Sequence, residues 1–150
     1  MLDFTIKQYR ILLTALIQGN YTFQTFGEFL QNPAERSIML RHDVDDKKQN
    51  SLEFARILHK NGIRGSFYFR VVSQSFDPII IRQIAGMGHE IGYHYEDMDF
   101  ARRINTSGTY ESRLHSLAWA LFRKHLDDMR AICPINTISM HGSPRSRYDN

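Results

Sequence analysis

The chain has 150 residues, of which 42% are hydrophobic, 12% aromatic and 23% charged, a composition typical of one soluble globular domain. It excludes extended disorder, a collagen-like chain and a disulfide scaffold, and no uncharged apolar run approaches the ~20 residues that a bilayer requires. The first residues carry neither a basic n-region nor a long apolar h-region, so we expect no secretory signal. The single cysteine, Cys133, has no internal disulfide partner, and an inert, reduced thiol in a cytoplasmic protein is the simple interpretation.

The formal net charge is +3, from 19 Lys and Arg against 16 Asp and Glu. The basic surplus lies in residues 101–150, where it is spread along a predicted helix and a tail. A nucleic-acid-binding protein usually concentrates such charge in a dense stripe. We therefore expect no nucleic-acid partner.

The N-terminal part of the chain predicts an amphipathic helix. Thr5 and Gln8 fit a capping box, and apolar residues recur at helical spacing until Gly19. The aromatic-rich residues 21–30 follow and predict a short irregular or helical segment, which ends before Pro33.

From residue 37 onwards, buried-strand patterns alternate with helix patterns. This order predicts an α/β fold with about four parallel strands and right-handed crossover helices. In such sheets the functional residues lie at the carboxyl ends of the strands. We expect a single domain over residues 1–150, in which residues 1–34 are an N-terminal helical extension. The predicted strands are 37–42, 65–72, 90–95 and 135–140, and the predicted helices are 51–60, 78–85 and a long helix from Ser107 or Thr109 to about Cys133.

The first predicted strand ends in an acidic segment. Alternation places Arg41, Asp43 and, where the extended conformation persists, Asp45 on one face. Two neighbouring carboxylates repel each other, so bringing them together usually requires a cation or a shared proton. A solvated acidic turn that caps the next helix is the alternative interpretation.

Two further strand ends carry histidines. His94 lies at the end of the third predicted strand, on the same face as Glu90, and His141 lies at the end of the fourth. A neutral imidazole is a good ligand for zinc, iron or nickel, and two imidazoles with one carboxylate are a common hydrolytic set. The alternative for any single histidine, including His89 at the start of the third strand, is a hydrogen bond to a backbone carbonyl.

Other candidates carry weaker signals. His59, His115 and His125 lie on predicted helices, where we expect surface or helix-end positions. Trp119 and Phe122 lie on the long predicted helix, and their spacing favours the core over a ligand platform.

Two motifs together resemble a known family. Residues 40–45 (Leu-Arg-His-Asp-Val-Asp) and residues 88–94 (Gly-His-Glu-Ile-Gly-Tyr-His) are similar to the polysaccharide deacetylase superfamily, carbohydrate esterase family 4 in the broad sense. The similarity is greatest to the branch that carries Arg-His-Asp-Val-Asp in place of Thr-Phe-Asp-Asp-Gly. It extends to residues 21–26 and to residues 141–144, and therefore covers nearly the whole chain.

The resemblance implies a fold and a reaction. The family fold is a distorted (β/α) barrel, of which this chain would form a part with about four of about seven units. Family members hydrolyse N-acetyl groups of sugars with a divalent metal. Asp43 matches the family's general base, and His94 matches its first metal-binding histidine. Asp45 matches a metal-binding aspartate, and Asp46 is an alternative for that role.

The chain departs from the family at the second metal-binding histidine, whose position is Met98. Either His141 or a carboxylate such as Glu96 would replace it, and we favour His141 because it lies at a neighbouring strand end. Zinc is the expected metal, with nickel, cobalt and iron as alternatives. Arg41 and Tyr95, beside these positions, are the candidate substrate-binding residues.

The family's later motifs, which supply the acetyl pocket and the histidine that protonates the leaving amine, would lie beyond residue 150. We therefore expect at most residual activity. The resemblance implies a carbohydrate substrate in cell-envelope polysaccharide synthesis, and the missing secretory signal favours a cytoplasmic sugar precursor. The last strand would be an open sheet edge, which a homo-oligomer could cover. The alternative is a truncated, inactive family member that binds sugar or a partner chain. A phosphoacceptor domain is a weaker alternative. It needs a lysine at a later strand end, and the sequence has no such lysine at the predicted strand ends.

Overall fold

The computed structural model describes residues 5–105 and 111–142. Helices and strands alternate along most of this part of the chain. In chain order the elements are α1 (Ile6–Gln18), β1 (Thr22–Phe23), α2 (Phe26–Gln31), β2 (Ser37–Ile38), β3 (Arg41–Val44), α3 (Lys48–Lys60), β4 (Ser66–Phe69), α4 (Pro78–Gly86), β5 (Glu90–Tyr95), α5 (Asp97–Ile104), α6 (Glu111–Arg130) and β6 (Ile138–Met140).

The main sheet has four strands in the order β3-β4-β5-β6, and every pair is parallel. A second, two-stranded parallel sheet joins β1 to β2. Neighbouring strands in the main sheet are also consecutive along the chain, and helices connect them, as expected for parallel strands. The predicted α/β fold with about four parallel strands is confirmed.

The predicted strand 37–42 is wrong as a single element. It divides into β2 and β3 because the chain changes its hydrogen-bonding partner between them. The carbonyl oxygen of Ile38 accepts from the Gln24 amide at 3.1 Å, beside β1, whereas the carbonyl oxygen of Leu40 accepts from the Ser66 amide at 2.9 Å, beside β4. The strand that carries the acidic segment therefore begins only at Arg41.

Other boundaries also differ from the prediction. The strand predicted over 65–72 ends at Phe69, and the Arg70 amide donates to the Ser75 hydroxyl at 3.0 Å in the loop that follows. α5 was not predicted, although acidic residues in its first turn and basic residues in its last turn complement the helix dipole. The expected start of the long helix, Ser107 or Thr109, lies outside the described residues.

The core lies between the sheet and the helices α3 and α4. Phe67 and Phe69 on β4 and Tyr93 on β5 are fully buried and pack with Leu58 of α3 and Ile84 of α4. Burial of such large apolar side chains is the main favourable term in folding.

The opposite face of the sheet is polar and closely packed. The Tyr68 ring lies against Gly92 on the neighbouring strand, where a Cβ atom would come within 2.3 Å of the ring. Below this contact, the Glu90 carboxylate accepts hydrogen bonds from the Ser66 hydroxyl at 2.5 Å and from the Thr137 hydroxyl at 2.8 Å. A glycine at position 92 is therefore required for the sheet to accommodate the tyrosine.

None of the described helices combines the length and the apolar character needed to cross a bilayer.

α1 docks on β3 through a half-buried histidine, His42. The Tyr9 hydroxyl and His42 Nε2 lie 2.9 Å apart, and the imidazole stacks on Phe67 with ring centroids 4.4 Å apart. Burial lowers the pKa of His42 to about 4, because an apolar environment disfavours the charged ring.

This burial makes stability depend on pH. Because His42 has a lower pKa in the folded protein than the ordinary 6.5, its protonation favours unfolding. The free energy of unfolding should be highest above about pH 6.5 and fall as the pH drops towards 4, by up to about 3 kcal/mol. Urea denaturation across this range measures the slope. His42→Gln keeps an amide partner for Tyr9 without a titrating ring, so we expect a flatter slope; an unchanged slope would show that His42 is not responsible.

Candidate metal centre

Three side chains from three strand ends meet at one point. Asp45 follows β3, His94 is the fifth residue of β5, and His141 follows β6. Asp45 Oδ1 lies 3.6 Å from His94 Nε2 and 3.2 Å from His141 Nδ1, and the two imidazole nitrogens lie 3.2 Å apart. The group can hold a metal ion.

The spacing of these donor atoms fits a small divalent cation. Ligands arranged tetrahedrally at about 2.0–2.1 Å from zinc lie about 3.4 Å from one another. The three separations here, 3.2, 3.2 and 3.6 Å, bracket that value. Three protein ligands also leave one coordination position open, which is typical of catalytic sites rather than structural ones.

The backbone orients His94 as a ligand. Its Nδ1 lies 3.0 Å from the carbonyl oxygen of Ser139 on the neighbouring strand. A carbonyl oxygen only accepts, so Nδ1 carries the proton and Nε2 presents a lone pair towards the other two residues. Burial lowers the pKa of His94, which keeps the ring neutral and able to bind a metal.

Asp43 lies beside this group but is held by a different partner. Arg41 Nε and Nη2 donate to its two carboxylate oxygens at 2.7 and 3.0 Å, and Nη2 also lies 2.6 Å from the Ser139 hydroxyl. Asp43 Oδ2 is 3.9 Å from His94 Nε2, so the carboxylate borders the group without joining it. Arg41 is the candidate substrate-binding residue. In this structure its Nε and Nη2 donate to side chains of β3 and β6, which are Asp43 and Ser139.

Glu96 does not serve as the replacement ligand. Its side chain is 3% exposed and accepts from Arg70 Nε and Nη2, both at 2.8 Å. Met98, where the resemblance would place a second histidine, lines an apolar cavity of about 350 Å³ against α6. Among the described residues His141 is the third member of the group, as expected.

Tyr95 is not brought to the group. It follows His94 on β5, so its side chain projects from the opposite face of the sheet, where it contacts Tyr93 and Phe122. Phe122 packs against the core, as predicted. Trp119 does not: it is 62% exposed and stacks on Phe122 at the rim of the cavity, so the prediction that it belongs to the core is wrong.

The remaining histidines divide according to their partners. His89 is structural, because Nδ1 accepts from the Gly65 amide at 3.1 Å and Nε2 lies 2.9 Å from the Ala55 carbonyl oxygen. Burial lowers the pKa of His89. His59 and His115 are exposed on their helices, as expected.

The prediction for His125 is wrong, because this residue is not at the surface. Its Nδ1 lies 2.6 Å from Asp97 Oδ1, and the Tyr93 hydroxyl donates to the other carboxylate oxygen at 2.7 Å. These contacts join α6 to α5 and β5, a long-range arrangement that helical periodicity does not report. Burial raises the pKa of the Cys133 thiol, which agrees with the inert role expected for it.

We compared the chain with models of known protein families, with curated proteins and with solved structures, and none of the three comparisons gave a match. The assignment of the site therefore depends on its geometry and chemistry.

Removing one ligand should abolish tight metal binding. We expect metal-free protein to bind one zinc ion in a calorimetric titration, and His94→Ala to weaken the affinity more than about 100-fold, beyond the 10–100-fold typical of losing an outer contact. His115→Ala, which removes an exposed histidine on α6, is the matched control and should bind like the wild type. Equal, weak binding by the wild type and His94→Ala would refute the site.

Proposed function

We propose that the protein is a metal-dependent hydrolase of the polysaccharide deacetylase type that acts on N-acetyl groups of a sugar or polysaccharide precursor. The observation that carries the proposal is the convergence of Asp45, His94 and His141 within 3.2–3.6 Å, with the Asp43 carboxylate 3.9 Å from His94. The resemblance relates Asp45 and His94 to a metal site and Asp43 to a general base, and His141 is the expected replacement for the ligand that is missing at Met98. Four parallel strands with connecting helices support a partial barrel of this type.

Asp45, His94 and His141 would hold the metal, and two imidazoles with one carboxylate favour zinc, with nickel, cobalt and iron as alternatives. Such an ion supplies Lewis acidity, which favours ionisation of a nearby water and polarises an amide carbonyl. The carbonyl oxygen of Ser139 keeps the His94 ring in the ligating tautomer throughout.

Asp43 is the proposed general base. Its carboxylate lies next to the ligands, and Arg41 fixes both of its oxygens. A carboxylate in this position can accept a proton from a water that attacks an amide carbonyl, and general-base assistance typically contributes 10²–10⁴-fold. In this arrangement the role of Arg41 is to orient the carboxylate of the proposed base, Asp43.

Protonation of the leaving amine is a separate requirement. Within the part of the chain that the structure describes, the histidines outside the centre either have other buried partners or are exposed away from it. None of them is assigned as the general acid. We therefore expect slow deacetylation by this chain, on the N-acetylated sugar precursors that the resemblance implies.

The test separates the base from the metal site. Asp43→Asn should lower acetate release from N-acetylated sugar nucleotides and oligosaccharides by at least about 100-fold, while zinc affinity changes only a few-fold, because Asp43 is not a ligand. Asp46→Asn is the matched control: this carboxylate, the alternative metal ligand in the sequence, lies outside the group of Asp45, His94 and His141, is exposed, and accepts from the Lys47 amide.

Wild-type activity that Asp46→Asn retains and Asp43→Asn loses would support the proposal. Zinc binding without acetate release above the level of Asp43→Asn would contradict hydrolysis and favour the alternative, a family member that binds sugar or a partner chain without catalysis.

A further inference from the structure

We propose that Arg70 and Glu96 form a positioning pair for the metal centre, in which Arg70 holds the backbone of Asp45 and Glu96 keeps the guanidinium away from the Asp45 carboxylate. This inference rests on the proposed metal site. Both residues would act on the metal through Asp45, so both are positioning residues.

The pair connects β3 and β5, the two strands that supply Asp45 and His94. Arg70 follows β4, the strand between them, and its Nη1 donates to the carbonyl oxygen of Asp45 at 3.2 Å. Its Nε and Nη2 donate to Glu96, which lies two residues after His94. The guanidinium therefore links the loop after β3 to the end of β5.

Asp45 needs this support more than the two histidines do. His94 lies within β5 and bonds the Ser139 carbonyl oxygen, and the His141 amide donates to the Tyr95 carbonyl oxygen at 2.8 Å, which extends the β5–β6 ladder. Asp45 lies beyond the end of β3, and its side chain is 51% exposed. The bond from Arg70 fixes its backbone from the neighbouring strand.

Glu96 has a distinct role, which is to occupy Arg70. The pair is bidentate, and the side chains are 18% and 3% exposed, so water competes poorly for it. If Glu96 were neutral, the guanidinium would lose its charged partner while remaining bonded next to Asp45. The Asp45 carboxylate is the nearby anion that it could then bind, in direct competition with a metal.

Substitutions of Arg70 and Glu96 should weaken zinc binding by different amounts. Arg70→Met removes the bond to the Asp45 backbone, so zinc affinity should fall about 10-fold, within the range known for outer-shell partners. Glu96→Gln loosens the pair and also leaves a competing cation, so the fall should approach 100-fold. The double variant Arg70→Met/Glu96→Gln removes the competitor and should bind like Arg70→Met alone, so the effects are not additive.

The experiment titrates zinc into the full chain and its variants by calorimetry, and measures amide hydrogen exchange at residues 45–47 in the zinc-free proteins. We expect faster exchange there in Arg70→Met than in the wild type. Asp128→Asn, which breaks an exposed ion pair with Lys124 on α6, is the control and should change neither measurement. If Arg70→Met does not fold, Arg70→Lys takes its place. Lysine keeps the charge, and we expect its zinc affinity to fall below that of the wild type, but by less than the roughly 10-fold loss expected for Arg70→Met.

The outcomes distinguish this inference from the proposed function. If the wild type binds zinc and every folded variant binds it equally well, the pair only stabilises the fold and the inference is overturned while the metal site stands. If Glu96→Gln binds no worse than the double variant, the competition by Arg70 is refuted. If the wild type binds no zinc, the proposed function fails, and the inference fails with it.

Discussion

The candidate centre depends on the parallel order of β3, β4, β5 and β6. Parallel strands present all their carboxyl ends at one edge of the sheet, which is the only reason that residues far apart in sequence can meet there. Asp45 and His94 nevertheless come from strands separated by β4, and flat strands two positions apart would be about 9.6 Å from each other. Their donor atoms lie 3.6 Å apart because the loop residue and the strand residue both reach across β4.

The packing beneath the centre is consistent with this approach. Tyr68 of β4 fills the same face of the sheet, directly over Gly92 of β5, and its hydroxyl donates to the Thr137 hydroxyl at 3.0 Å. Arg41 lies over the Tyr68 ring at 4.8 Å. The centre is thus built on a layer of large side chains that cross between strands, and any change in their size would alter the separation of the ligands above them.

Sequence patterns were sufficient for the local part of this arrangement. The alternation of strands and helices predicted the parallel sheet, and the polar residues at three strand ends, together with the family resemblance, predicted the members of the centre. The patterns failed where long-range partners decide the outcome. The division between β2 and β3 depends on two different neighbouring strands, and the Arg70–Glu96 and His125–Asp97 pairs join residues that no periodicity relates. Such pairs become visible only when the fold places them together.

The histidines show what separates a candidate ligand from a structural residue. His89 and His94 are both buried, and each has one ring nitrogen within 3.0 Å of a backbone carbonyl oxygen. The difference lies in the other nitrogen: in His89 it accepts from the Gly65 amide, whereas in His94 it faces Asp45 and His141. A second nitrogen that is directed at other ligands, rather than at the backbone, is therefore the informative feature.

The charges around the centre distinguish Asp45 from the neighbouring carboxylates in a similar way. Arg41 is paired with Asp43, and Arg70 is paired with Glu96, so each of these carboxylates already has a cation at hydrogen-bond distance. Among the carboxylates at this end of the described sheet, Asp45 has as its nearby partners only the two imidazoles of the centre and the Arg70 bond to its backbone. With neutral imidazoles the donor set carries a single negative charge, and a divalent cation would reverse its sign. A positive centre beside the Asp43 carboxylate, which Arg41 already holds, is the electrostatic arrangement that the proposed hydrolysis would need, because it favours a developing oxyanion over a neutral amide.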